Sequence, residues 1–370
     1  MNIDIVNNEM FNIEETKEAL NYSPSDLSDV LKFHKSLGNI ETPLIELNEL
    51  SKKLDVGSIL VKDESYRFGL NAFKALGASY AMKKEIEKTP NIETFCTATD
   101  GNHGHAVAWM AQKLKRKAII YMPKGTAVDR VNAIKSKNAE VIVIDEGYDT
   151  AVEIANRKVI QGNSNGNDSW SLIQDTAWDG YEKIPLDIMK GYWTQMHEVT
   201  SQIKDKKIDL IFLQTGVGSW AASIINYILN NWDYCPLFYS VEPFSANCLA
   251  ESIKSKKRVK VNKKETTSMA GLDCGTVSTL AWQILKTSIS SSISIDDSFT
   301  EEAMRVFSNP IKEDSIIVAG ESGASGLGAL IALKRLNKFC NNSLNENSNI
   351  LIINTEGDTD KINYKRIIKD

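Results

Sequence analysis

The 370-residue chain is poor in the residues that build covalent or metal-held sites, with five cysteines, four histidines and eight prolines. Cys96, Cys235, Cys248, Cys274 and Cys340 are odd in number and scattered, which fits neither a disulfide framework nor a CxxC metal pair; reduced thiols are predicted. Only His103 and His105 lie close together, and at i,i+2 on a helix they point apart, so no metal site is predicted. No apolar run approaches the roughly 20 residues that cross a bilayer. The run "LIFL" at Leu210–Leu213 soon meets Gln214 and Gly216. The opening "MNIDIVNNEMFNIEETKEAL" lacks the basic flank and apolar stretch of a secretion signal, and a cytoplasmic protein is expected. A net positive charge is also lacking: the net charge is −5, and the run "KSKKRVKVNKK" at Lys254–Lys264 reads as a solvated loop. Nucleic acid and membrane are set aside as partners in favour of a small molecule.

Against these absences stands an ordinary globular interior, 42% hydrophobic and 25% charged. The length exceeds that of one simple core, so two lobes or one large α/β body are expected. One arrangement recurs four times: an aliphatic run, a loop of glycine or small polar residues, then an amphipathic helix. "SILVKDES" leads through "YRFGLN" into a helix carrying Lys74, and "FCTAT" through "DGNHG" into "HAVAWMAQKL". "DLIFLQ" leads through "TGVGS" into "WAASIINYIL", and "SIIVA" through "GESGASG" into "LGALIALKRL". Further strands are expected at "AIIYMP", "AEVIVID", "LFYSVEP" and "ILIINTE". Such units build parallel sheets covered by helices, with ligands where strand ends meet helix N-termini. The polar stretches "GNSNGNDS", from Gly162, and "NNSLNENSN", from Asn341, are connections that need not divide domains.

The loops differ in what they offer. "TGVGSWAAS" reads G-x-G-x-x-A, and Glu242 closes the next apolar run as a ribose-binding acid would in a dinucleotide-dependent oxidoreductase. Bare N–H groups at a helix start hold a phosphate monoester equally well. "TATDGNHGHA" and "GESGASG" concentrate Asp100, Asn102, His103, Glu321 and Ser322 over strand ends, where bound ligands sit. Lys74, in the opening turn of "NAFKALGASYAM", faces the positive end of its helix dipole among apolar neighbours. Both effects are expected to lower its pKa and free its amine for a Schiff base. Amine, glycine loop and polar loops together point to pyridoxal phosphate.

In order, "KDESYRFGLNAFKALGASYAM", "ATDGNHGHAVAW", "YMPKGTAVDRV", "QDTAWDGYEKIP", "QTGVGSWAAS", "SMAGLDCG", "GESGASGLG" and "NTEGDTD" resemble the motifs of the diaminopropionate ammonia-lyase family. These are pyridoxal-phosphate enzymes of the tryptophan-synthase β, or fold type II, superfamily, and the resemblance runs from about Thr42 to Asp360. "QDTAWDGYEKIP" sets the family apart from threonine dehydratases and serine racemases. The fold implied is α/β, with two lobes that each hold a central, mostly parallel sheet. Residues 1–89 plus 201–370 form a large cofactor-binding domain and 90–200 a small mobile one. A homodimer and elimination of D- and L-2,3-diaminopropionate to pyruvate and two ammonia molecules are also implied. By the same resemblance Lys74 is the Schiff-base lysine, Asn102 contacts the cofactor's phenolic oxygen, and Gly216, Val217, Gly218 and Ser219 hold its phosphate. Alignment favours Asn354 beside the pyridine nitrogen and chemistry favours Thr355, so both stay open. Asp100 stands where dehydratases commonly carry serine and is implied as base for the D isomer, with Asp175, alone or with Lys74, serving the L isomer. A threonine or serine dehydratase, a dinucleotide-dependent oxidoreductase and a non-catalytic amino-acid-binding protein are the rival readings.

Overall fold

The computed structural model describes residues 2–18, 22–164, 166, 168–262, 265–337 and 344–369. Cys340 and parts of the three polar or basic stretches named above lie outside the described residues. Eleven strands are described: β1 (Ile3–Asn7), β2 (Leu44–Glu46), β3 (Ser58–Asp63), β4 (Thr94–Ala98), β5 (Lys117–Pro123), β6 (Glu140–Ile144), β7 (Trp170–Leu172), β8 (Leu210–Gln214), β9 (Leu237–Pro243), β10 (Ser291–Ile295) and β11 (Asn349–Asn354). They form a seven-stranded sheet in the order β1-β10-β9-β8-β11-β3-β2 and a four-stranded sheet in the order β6-β5-β4-β7. The large sheet is parallel except at its two edges, β1 and β2, and the small sheet is parallel throughout. This is the α/β, fold type II architecture that the motifs imply.

Central strands of the large sheet are buried on both faces, which is why they read as unbroken aliphatic runs. Along β8, Leu210 and Phe212 enter one core cluster while Ile211 and Leu213 enter the other. β11 alternates in the same way, with Ile350 and Ile352 opposite Leu351 and Ile353. One face of the small sheet, through Phe95, Ile120 and Met122, joins a large-sheet cluster, so apolar packing is continuous between the sheets. "SIIVA" departs from expectation and pairs with no strand: β11 already has β8 and β3 on its two sides. Instead Ile317 N donates to Phe307 O, and Val318 O accepts from Asn354 Nδ2.

Parallel pairing brings the C-terminal ends of β3, β8 and β11 to one edge, and β4 ends against the same crevice. Below it lies a dry ion cluster. Lys62 Nζ and Arg67 Nη2 donate to Glu198 Oε2, both at 2.8 Å, and Arg67 Nη2 meets Glu64 Oε1 at 2.7 Å. These four side chains are at most 3% exposed, and their two positive and two negative charges cancel. The cluster ties the end of β3 to the Trp193–Gln202 helix and fixes the segment leading to Lys74. Among the described residues no helix is long and apolar enough to cross a membrane.

Candidate active site

Lys74 is the first residue of the Lys74–Lys88 helix, whose N-terminus no side chain caps. The turn before it is pinned to the loop after β11: Phe73 N donates to Thr355 O, Gly357 N to Asn71 O, and Ala72 bridges Glu356. Its amine enters a cleft that encloses about 850 Å³ with its open mouth. Three of the four expected loops reach this cavity with Lys74, Asp100–His103 and Gly216–Ser219, and the fourth segment contributes Ser322. Asp175, Tyr148, Cys274, Thr355 and Glu356 complete the parts of the wall used below.

Lys74 Nζ donates to Asp175 Oδ2 at 2.5 Å, and the two side chains are 20% and 7% exposed. This contact overturns the expected pKa of the lysine. Burial does push toward the neutral amine, but the Asp175 carboxylate, helped by Tyr192, outweighs it and holds the ammonium well above the usual lysine value. Burial likewise opposes the Asp175 carboxylate, and Lys74 with His103 overcomes it, bringing that carboxyl down to about 2. The state shown is therefore an ion pair. Beside it, His103 Nε2 donates to Ile173 O at 2.7 Å, which leaves Nδ1 as a buried acceptor without a protein partner. Tyr148 is half-buried at the cavity wall, and desolvation followed by the Asp175, Cys274 and Asp100 charges pushes its phenol well above the usual value.

At the other end, Gly216, Val217, Gly218 and Ser219 run into the 13-residue Ser219–Asn231 helix. Gly218 has φ 86°, the left-handed region that glycine adopts without strain, and a Cβ there would lie 2.7 Å from Leu285 Cδ1. Such a turn aims bare N–H groups into the cavity, a cradle for a phosphate on the helix axis. Ser219 Oγ donates to Asp175 O at 2.6 Å, and Ser278 N donates to Val217 O, so this loop and the "QDTAWDG" loop are locked together. Amine, phosphate cradle and polar edge groups thus fit pyridoxal phosphate.

Thr355 lines the cavity, whereas Asn354 does not. Asn354 Nδ2 is taken by Asp63 Oδ1 and Val318 O at 2.8 and 2.9 Å. "GESGASG" is not a loop: helix begins at Glu321, and Gly323 allows it to press on Asn354 and Glu356, whose atoms a Cβ would meet at 2.3 and 2.5 Å. Glu321 packs behind the wall, where burial and then the Glu356 charge raise its carboxyl to about 7. Asn102 Nδ2 donates to Glu356 Oε2. Glu242, the supposed ribose acid, is wholly buried away from the cavity. Its oxygens accept from Leu249 N, Ala250 N and Ser292 Oγ at 2.7 to 2.9 Å, capping the Cys248–Lys254 helix and leaving no oxygen for a ribose. Sequence reasoning missed Tyr148, Arg130 and Glu356 as wall residues; Arg130 in "YMPKGTAVDRV" and Glu356 in "NTEGDTD" stood in family motifs, and Tyr148 carried no signal.

A lysine and a glycine turn opening on one cavity, within a fold type II architecture, define a class, and the chain belongs to the pyridoxal-phosphate dependent enzyme family, whose pattern matches residues 35–356. Within that class, relatives matched over the full chain include diaminopropionate ammonia-lyases. It is 39% identical to the diaminopropionate ammonia-lyase of Escherichia coli strain K12, over 100% of this chain and 96% of that one. Crystal structures of the Escherichia coli enzyme superpose along the whole chain. The complex with an aminoacrylate–pyridoxal phosphate azomethine intermediate gives TM-score 0.90 at 39% identity, covering 100% of this chain and 97% of that one. The apo form gives TM-score 0.83 at 36% identity, covering 100% and 96%.

Proposed function

We propose that this chain is a carbon–nitrogen lyase that eliminates ammonia from 2,3-diaminopropionate, yielding pyruvate and a second ammonia molecule. The observation that carries the reading is that two carboxylates, Asp100 and Asp175, open on the same cavity as the Lys74 amine. A substrate with two ammonium groups suits that charge better than serine or threonine, which bring only one. When bound, pyridoxal phosphate supplies the electron sink that makes loss of a Cα proton feasible. Lys74 attaches its aldehyde and the Gly216–Ser219 backbone holds its phosphate. Asn102 would meet its phenolic oxygen, and Thr355, which lines the cavity where Asn354 does not, would serve its ring nitrogen.

Asp175, ionised and with Oδ2 2.5 Å from Lys74 Nζ, accepts the Cα proton of the L isomer. Asp100, on a different loop, serves the D isomer, whose Cα–H bond points to the opposite face. The β-amine departs with its C–N electron pair as ammonia. The division into residues 1–89 plus 201–370 and 90–200 supplies the closing motion, with one modification. Glu198, ion-paired with Lys62 and Arg67, pins the last helix of the small segment to the large lobe. Movement is thus confined to the four-stranded sheet and its helices, which shut water from the proton transfers. The protein acts as a cytoplasmic homodimer.

The test is turnover. Purified protein is expected to show a visible band that borohydride bleaches and that Lys74→Ala lacks, and to release pyruvate faster from diaminopropionate than from serine or threonine. Faster turnover of either hydroxy amino acid would sink the substrate assignment, and a colourless protein that added pyridoxal phosphate cannot colour would sink the whole reading.

A further inference from the structure

We propose that Glu356 is the positioning residue that aims the Asn102 amide at the cofactor, with Arg130 and Thr359 holding Glu356 for that task. The inference rests on the reading above that Asn102 meets the phenolic oxygen. An asparagine amide has a donor and an acceptor end of nearly equal shape, so its orientation must be chosen by a neighbour. Glu356 makes the choice. Its Oε2 accepts from Asn102 Nδ2, and a carboxylate can only accept, so the flipped amide would set two lone-pair oxygens against each other. The NH₂ group carries a second hydrogen, which remains for an acceptor in the cavity. A phenolic oxygen then meets a donor instead of a carbonyl lone pair.

Glu356 is itself firmly placed. It is 1% exposed, its Oε1 accepts from Ser322 N at 3.2 Å, and its backbone carbonyl accepts from Gly320 N at 2.9 Å. Arg130 Nε donates to Thr359 Oγ1 at 3.3 Å, and Thr359 Oγ1 donates to Glu356 Oε2 at 3.1 Å. The donations thus run from guanidinium to hydroxyl to carboxylate, with the Asn102 amide arriving from the other side. Arg130 Nη2 adds charge at 4.0 Å from Glu356 Oε1 and 3.9 Å from Glu321 Oε2. Asn102 and Arg130 belong to helices covering the small sheet, whereas Glu356, Thr359 and Glu321 follow β11 or pack beside it. The amide is therefore aimed only when the two halves meet, which couples cofactor grip to the seating of the small sheet.

The experiment is a double-mutant cycle on the holoenzyme, reading release of pyridoxal phosphate on dilution and the position of its visible band. Glu356→Ala is expected to weaken retention on the order of tenfold, as loss of a charge-assisted hydrogen bond does, and to shift the band. Glu356→Gln, whose side-chain carbonyl still accepts from Asn102, is expected to stay within about threefold of wild type in the same cycle. Asn102→Ala is expected to weaken retention by itself, and adding Glu356→Ala to it should cost nothing more. Additive losses in the double variant, a Glu356→Ala enzyme that retains cofactor like wild type, or a glutamine variant as weak as the alanine one would overturn the inference. If Asn102→Ala retains cofactor normally, the assignment of Asn102 has failed, and the inference with it. Should Glu356→Ala not fold, a crystal structure of the wild-type holoenzyme decides: Nδ2 and Oε2 in hydrogen-bond contact support the proposal, and separation beyond that contact overturns it.

Discussion

Replacing Asp175 by asparagine should speed one use of Lys74 while stopping another. In the cofactor-free chain the Lys74 ammonium is held chiefly by Asp175 Oδ2 at 2.5 Å, against the burial that favours the neutral amine. Asparagine keeps the volume and removes the charge, so burial is left with little to oppose it and the lysine pKa falls toward or below about 10.5. Each unit of that fall raises the free-amine fraction at pH 7.5 about tenfold. Only the free amine attacks an aldehyde, so covalent capture of added pyridoxal phosphate should accelerate by about tenfold or more. Elimination from the L isomer should meanwhile drop by about 10²- to 10⁴-fold, the contribution of a positioned general base. Stopped-flow absorbance on mixing cofactor-free protein with pyridoxal phosphate measures the first effect, and pyruvate release measures the second. Capture no faster than wild type, in a variant that melts normally, would refute the argument that Asp175 sets the lysine's charge. Undiminished L-isomer turnover would refute its role as base.

Two further outcomes follow from the same structure. Asp100→Asn should lose D-isomer turnover far more than L-isomer turnover in a pyruvate assay, and equal losses would reject the division of labour between the two acids. His34 is buried as the neutral ring, with Nδ1 at 2.6 Å from Thr194 Oγ1 and Nε2 at 3.0 Å from Leu76 O, and burial drives its pKa down to about 3. Its folded pKa lies below the unfolded value of about 6.5, so the unfolded chain takes the proton first. Stability should then fall as pH drops from about 6.5 toward 3, by about 1.4 kcal/mol per pH unit from this group. Urea unfolding at pH 6.5 and 5 should show a smaller loss for His34→Gln than for wild type; identical losses would count against it.

How much of this was legible beforehand depended on how local each cause was. β8 and β11 could be read because strands buried on both faces must be aliphatic throughout. β10, "SSISI", could not: all five residues are buried, yet three are serines, and the hydroxyls of Ser291 and Ser292 find their acceptors only in tertiary partners, Asn7 and Glu242. The converse error was "SIIVA", which has strand composition but no free strand edge beside β11 to join. Glycine motifs announced the phosphate cradle because a left-handed turn is a requirement of the backbone itself. Tyr148 announced nothing, since it reaches the cavity from a helix whose own pattern is ordinary, and Arg130 stood in "YMPKGTAVDRV" with no chemistry to single it out.

Lys74 shows the limit most sharply. Its neighbours in sequence, a helix start and apolar side chains, argue for a depressed pKa, and burial does act in that direction. The sign is reversed by an acid 101 residues away that the fold delivers to 2.5 Å. Such a reversal suits a lysine that must do two things. Before the cofactor arrives, the ion pair stabilises a charged amine inside a cavity where it would otherwise be costly. The same contact keeps Asp175 ionised, beside a His103 Nδ1 that no described residue bonds. On the reading proposed above, the contact that raises the lysine also lowers the Asp175 carboxyl, so the acid that would serve the L isomer meets substrate already ionised.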